Sequence, residues 1–226
     1  MRNKTKSKIL ITAGGLLLAA ALSITAYNLY ADYRAGAEAR SVLDALMQQT
    51  PHTPSVPSVP SVPSVPSVPM EEPPTSEAPQ PDEPVLPDYI VNPDMEMPTK
   101  EIEGNSYIGI LEIASLDLTL PVMSEWNYPR LKISPCRYSG SAYTGNLVIA
   151  AHNYRTHFGT LKNLTTGTEI IFTDVKGRSF FYEVAAVETL EATAVEDMLN
   201  EEWDLSLFTC TVDTYARVTV RCLRAE

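Results

Sequence analysis

Hydrophobic and polar positions divide the chain into three unlike stretches. Residues 9–31 carry no charge and centre on the run ITAGGLLLAAALSITA. As an α-helix these 23 residues reach about 34 Å at 1.5 Å per residue, enough to cross the hydrocarbon core of a bilayer. A loose apolar stripe follows at Ala37, Val42, Leu43, Ala45 and Leu46, which predicts a short juxtamembrane helix over residues 32–50. The pattern then stops. Residues 55–69 are five copies of Ser-Val-Pro. Proline at every third position fixes φ and removes a backbone donor, so neither helix nor sheet forms there and extended polyproline II is expected. Acidic, proline-rich sequence continues the same character, and residues 51–103 are expected to form a disordered linker. Fully extended, residues 51–98 span about 150 Å at ~3.1 Å per residue. A stalk that carries a domain outward and a length-tolerant connection both fit that length.

From residue 105 the pattern becomes that of short strands. The runs at 107–113 (YIGILEI), 116–122 (LDLTLPV) and 146–152 (NLVIAAH) are rich in apolar residues. Residues 169–174 and 179–190 flank Lys176-Gly177, a hairpin turn signal. Residues 205–209 and 217–223 complete the set, with brief helical pieces near 126–133, 158–164 and 193–200. Some 120 residues of short strands and turns predict one mainly β domain over 104–226, a small barrel or sandwich.

Charge refines this picture at both ends. Arg2, Lys4, Lys6 and Lys8 precede the apolar span, and no comparable basic run follows it. Residues 1–8 are therefore expected to be a cytoplasmic basic leader, residues 9–31 a single-pass signal anchor, and the remainder extracellular. A cleaved signal peptide is the rival reading, with small residues at 23–26, although the apolar region exceeds the usual signal-peptide core. Ten of the acids behind the net charge of −11 fall in residues 71–103, so the excess sits in the linker rather than on a binding face. Residues 104–226 show no cluster of Lys and Arg interleaved with aromatics, which argues against nucleic acid as a partner.

The candidate chemistry lies at strand ends. Cys210 closes the run Leu205-Ser206-Leu207-Phe208-Thr209, Arg217 opens the next strand, and His152 ends the strand before Asn153-Tyr154. Adjacent antiparallel strands joined by a six-residue loop make Cys210 and Arg217 neighbours, and a third strand end can bring His152 to the same rim. A thiolate is a competent nucleophile. A nearby cation favours the anion. A guanidinium stays protonated and offers donors to an oxyanion.

These residues resemble the sortase family over residues 104–224. Ser206-Leu207-Phe208-Thr209-Cys210 is similar to the family's Thr-Leu-x-Thr-Cys signature, with Ser for the first Thr. Ala151-His152-Asn153 fits the histidine motif, with Ala where Gly is frequent, and Arg217 begins the last strand as the family's arginine does. The Ile-Leu-Glu-Ile and Leu-Thr-Leu-Pro-Val segments also look like the first sortase hairpin. The resemblance implies a closed eight-stranded β-barrel, with an added strand near 138–143. It implies a Gram-positive cysteine transpeptidase that cleaves a Leu-Pro-x-Thr-Gly-like sorting signal on a secreted protein through a thioester. The acyl group then passes to an amine of a peptidoglycan precursor or a pilin. Cys210, His152 and Arg217 would be catalytic, and Thr209, Ala151 and Asn153 would shape the substrate site.

Other readings stand beside this one. A non-catalytic, stalked extracellular β-domain that binds wall or partner protein has the same general layout. Cys222 alternates with Val218 and Val220 and reads as core. A Cys136–Cys222 disulfide is open. His157 is a second candidate base and Arg221 a second candidate guanidinium. No Cys/His ligand cluster suggests a metal site, and no cofactor is expected; the resemblance adds Glu112, Glu188 and Glu191 as candidate calcium ligands, as in some sortases. The segment 191–203 is too short for a long inserted helix.

Overall fold

The structure is a computed structural model that describes residues 2–49, 87–92, 95–212 and 214–225, with the side chains of residues 8–48 and of the three later stretches. The five Ser-Val-Pro copies and most of the expected linker lie outside the described residues.

Nine strands are described in the C-terminal region: β1 (Lys100–Ile102), β2 (Asn105–Ile113), β3 (Leu118–Met123), β4 (Cys136–Ser139), β5 (Leu147–Ala150), β6 (Glu169–Asp174), β7 (Ser179–Glu191), β8 (Leu205–Cys210) and β9 (Ala216–Arg224). Their order is β1-β2-β3-β4-β5-β8-β9-β7-β6, and β6 pairs back onto β2. Strands β2 to β9 therefore close into an eight-stranded barrel, with β1 added as a hairpin arm on β2. This is the expected architecture. Two of the ring's contacts, β3–β4 and β5–β8, are parallel and the rest antiparallel.

Side-chain alternation explains which face each strand buries. In β7, Phe180, Tyr182 and Val184 point inward and the residues between them outward. β5 (LVIA) is buried on both faces, as a short unbroken apolar run predicts. The interior is filled by Leu111, Leu147, Ile149, Phe172, Leu207, Val220 and their neighbours. The seam between β2 and β6 requires a glycine. A Cβ at Gly109 would lie 2.2 Å from the Thr173 carbonyl oxygen, at the point where β2 bulges between Tyr107 and Gly109.

Ahead of the barrel runs one long helix, α1 (Arg2–Gln49). It joins the apolar span and the juxtamembrane segment, read separately in the sequence, without a break. Among the described residues it is the one helix long and apolar enough to cross a membrane. Leu10, Leu16, Leu17, Leu22 and Leu29 are exposed around its N-terminal half. Its C-terminal half packs on the barrel instead. Ala35, Ala39, Val42 and Leu46, at helical spacing, are buried. Val42 and Leu46 share a cluster with Ile102, Tyr107, Ile110, Met123, Cys136 and Val175. Full burial of a Val or Leu side chain contributes about 1.5–3 kcal/mol.

Packing against the barrel also begins before residue 104. Tyr89, in the one-turn helix α2 (Asp88–Val91), stacks on Tyr143 with centroids 4.8 Å apart. Met97 is buried in the main core, and Ile102 of β1 in the α1 cluster. A few apolar residues anchor this segment although acids and prolines dominate its composition.

Candidate active site

Strand register assembles the site. On the antiparallel β8–β9 ladder, Cys210 is the direct partner of Arg217. The loop between them is held by Thr211 N–H donating to the Ala216 carbonyl (2.9 Å) and by Ala216 N–H donating to Thr211 Oγ1 (3.2 Å). Thr214 takes a left-handed conformation, φ 65°, to make the turn. Arg217 Nη1 donates to the carbonyls of Thr214 (3.2 Å) and Ala216 (3.1 Å), which fixes the plane of the guanidinium at the loop's end.

The histidine arrives on the other side of β8. In the parallel β5–β8 pair, Ala150 is level with Phe208. Past the strand, Ala151 N–H donates to the Phe208 carbonyl (3.2 Å), and the buried Thr209 hydroxyl donates to the Ala151 carbonyl (2.9 Å). β5 ends at Ala150, so His152 lies two residues beyond the paired strand, just past the Ala151 carbonyl that Thr209 holds.

Cys210 and Arg217 open into a groove of about 190 Å³, which Ala151 and Thr209 also line. One wall carries Trp126, Tyr138 and Phe208, with the Tyr138 ring 5.3 Å from that of Trp126 and 5.2 Å from that of Phe208. The opposite wall is the β7–β8 connection, with Ala194, Val195 and Met198. His152 lines a second, larger cleft of about 990 Å³ between α1 and the barrel, together with Tyr154, Tyr30, Arg34 and Glu38. Its ring stacks on Tyr154 at 4.7 Å. The structure thus brings Cys210, Arg217, Thr209 and Ala151 into one groove. His152 lines the second cleft and not this groove, and Asn153 lines neither.

Burial sorts the titratable groups. It lowers the pKa of His152 below the ordinary imidazole value, and Lys132 adds to the effect. It pushes Cys136 and Cys222 up to about 12, so these thiols stay protonated. Both are fully buried, Cys210 is half-buried, and all three are unpaired thiols, so the Cys136–Cys222 disulfide is not formed. His157 is also fully buried, neither ring nitrogen has a hydrogen-bond partner, and its pKa falls to about 4 through burial and then the charge on His152.

Arg221, read as a second candidate guanidinium, has another task. It is only 2% exposed and donates to Glu188 Oε1 (2.7 Å), Ser206 Oγ (2.9 Å) and the carbonyls of Met198 and Asp197. It therefore pins the groove's β7–β8 wall, including the one-turn helix α3 (Val195–Met198), to the sheet. Outward parity on β9 signalled the side chain but not the connection folded over it. Of the acids considered for calcium, Glu188 is engaged with Arg221. Among the described residues no group of three His, Cys, Asp or Glu side chains is placed to hold a metal ion.

The family model of the Sortase domain matches residues 111–225, which include Cys210, His152 and Arg217, and the chain belongs to the sortase family. Sortase A from Corynebacterium diphtheriae superposes with a TM-score of 0.50 at 24% identity, covering 54% of this chain and 62% of that one. A sortase D5 transpeptidase from Clostridium perfringens gives 0.48 at 20% identity, covering 56% of this chain and 83% of its own. Sortase C1 from Streptococcus agalactiae gives 0.48 at 19%, covering 56% and 71%. The chain thus spans less than two thirds of sortase A, and identities this low bear on the fold alone. No curated protein matches the chain by sequence.

Proposed function

We propose that this protein is a membrane-anchored cysteine transpeptidase that cleaves a Leu-Pro-x-Thr-Gly-like sorting signal and transfers the protein to an amine. The observation that carries the reading is the Cys210–Arg217 pair, set side by side on β8 and β9 in an aromatic-walled groove with His152 on the adjoining strand end.

Cys210 Sγ, as the thiolate, attacks the threonine carbonyl carbon. Arg217 donates hydrogen bonds to the oxygen as charge develops on it. The C–N bond to glycine breaks, and His152 gives its proton to the departing amine. A thioester remains on Cys210. The acceptor amine then attacks the thioester carbon, its proton passes to His152, the C–S bond breaks and the thiolate returns. The apolar groove suits a leucine–proline segment, and Thr209 and Ala151 hold the two strand ends in register.

The substrates are secreted proteins that carry the signal, and the acceptor is an amine of a peptidoglycan precursor or a pilin, in a Gram-positive setting. Residues 9–31 anchor the chain once in the cell membrane, with the basic leader inside and the barrel outside. Cleavage of a sorting-signal peptide by the full chain tests this reading. Cys210→Ala abolishes cleavage and the covalent adduct; retained cleavage in that variant sinks the proposal.

A further inference from the structure

After β5 the chain leaves the sheet at Ala151 and re-enters the core at Phe158. The loop between carries His152. Its internal bonds are local: Phe158 N–H donates to the His152 carbonyl (3.2 Å), and the N–H groups of His157 (3.0 Å) and Gly159 (2.8 Å) donate to that of Tyr154. The His152 ring stacks on Tyr154, and Tyr154 meets His157 at a tilt of 55° with centroids 5.5 Å apart. The ring of buried His157 makes only weak polar contact, with the backbone at Ala35 and Ile133.

The tether comes from a helix far away in sequence. Thr156 N–H donates to Asp32 Oδ1 (3.2 Å), and the Thr156 hydroxyl is shared between Asp32 Oδ1 (2.8 Å) and the Asp32 carbonyl (3.1 Å). Bonds to a carboxylate are the stronger kind. Small residues allow the approach: a Cβ on Gly36 would lie 2.8 Å from Thr156 Cγ2, and the neighbouring contact positions are Ala35 and Ala39.

We propose that the docked half of α1 belongs to the catalytic apparatus: Asp32, acting through Thr156, holds the His152 loop in its working position, so full turnover requires the anchor helix to be seated on the barrel. Asp32 and Thr156 are positioning residues. The proposal rests on His152 as the proton-transfer residue. Misplacing such a group by about 1 Å costs on the order of 100-fold in rate. Loss of one tether, with the ring stack intact, costs less.

The test uses the full chain in detergent micelles, with a Leu-Pro-x-Thr-Gly peptide, acyl-enzyme formation read by mass, and kcat, KM and the pH profile measured. Asp32→Ala and Thr156→Val each lower kcat about tenfold with KM changed less than about twofold, and the double variant is no slower than either single. Asp32→Asn and Thr156→Ser keep an acceptor and a hydroxyl and retain most of kcat. Arg40→Ala, on the exposed side of α1, changes nothing. In the impaired variants the limb of the profile assigned to His152 moves up toward the ordinary value of 6.5, because a loosened loop lets water reach a ring now enclosed beside Tyr154, Lys132, Tyr30, Arg34 and Glu38. Wild-type kcat and an unmoved limb in folded Asp32→Ala and Thr156→Val overturn the proposal, as does a loss of rate that merely follows the loss of folded protein. His152→Ala separates the levels. If it is inactive while the Asp32 and Thr156 variants are normal, this proposal alone fails; if it is fully active, the catalytic reading beneath it fails too.

Discussion

Thr209 donates its hydroxyl hydrogen to the carbonyl of Ala151 across 2.9 Å of buried space. The residue before Cys210 is thereby tied to the residue before His152. This bond holds the end of β8 and the segment that carries His152 in one register at the barrel's rim. Thr209→Val keeps the shape and leaves the Ala151 carbonyl without its donor. The expected cost is about 1–3 kcal/mol of stability, read by chemical denaturation, with a slower acylation step. Thr209→Ser restores both. Unchanged acylation in a folded Thr209→Val protein counts against the tie.

The three thiols should differ in reactivity. Burial holds Cys136 and Cys222 near a pKa of about 12, whereas Cys210 is half-buried and opens into the groove. Alkylation of the native protein at pH 8 should modify one cysteine, Cys210, with the other two reacting only in denaturant. Peptide mapping after labelling checks this, and early labelling of Cys222 contradicts it.

Arg221 sets the groove's far wall. Arg221→Met strands Ser206 Oγ and the carbonyls of Asp197 and Met198, which loosens the wall that contains Val195 and Met198. KM for a sorting-signal peptide should rise about tenfold, with a smaller change in kcat. Arg221→Lys should recover only part of this, since an ammonium cannot reproduce the planar fork. A variant with unaltered KM shows that the wall stands without the guanidinium.

His157 gives stability a pH dependence of definite sign. Its folded pKa of about 4 lies below the ordinary 6.5, so at intermediate pH the unfolded chain binds a proton that the native chain refuses. Stability is then full above about 6.5 and is lost as pH falls through 4, by roughly 3 kcal/mol at most. The depressed pKa of His152 acts in the same direction. His157→Leu removes the larger part of this slope and two unpaired buried nitrogens with it. Denaturation midpoints between pH 4 and 7 should flatten in the variant, and a slope equal to that of the wild type rules the account out.

The barrel was legible where strands are unbroken apolar runs. β5, β8 and β9 appear near their observed bounds, and Lys176-Gly177 marks the β6–β7 turn. Alternation placed Cys222 inside correctly. The docking of α1 was harder to read. Its contact stripe uses Ala35, Gly36 and Ala39, whose value lies in their small size rather than in hydrophobicity, while Ala37 of the expected stripe is exposed. β1 was hidden because Met97 and Ile102 are few among acids and prolines. Arg221 was visible as a charge on an outward face, but its burial depends on a connection whose path no periodicity encodes. The facing of His152 toward a second cleft depends likewise on a helix more than a hundred residues away.

Both flanks of the proline-rich insert are fastened to the same barrel: Leu46 packs on one side of it, and Tyr89 stacks on Tyr143 at another. An insert with two fixed ends is a closed circuit, and the entropy of closing it grows only with the logarithm of its length. Copies of Ser-Val-Pro can then be gained or lost with little thermodynamic penalty. If α1 is anchored as proposed, its packing on the barrel fixes the altitude of the groove above the lipid, and variation in repeat number leaves that altitude where it was.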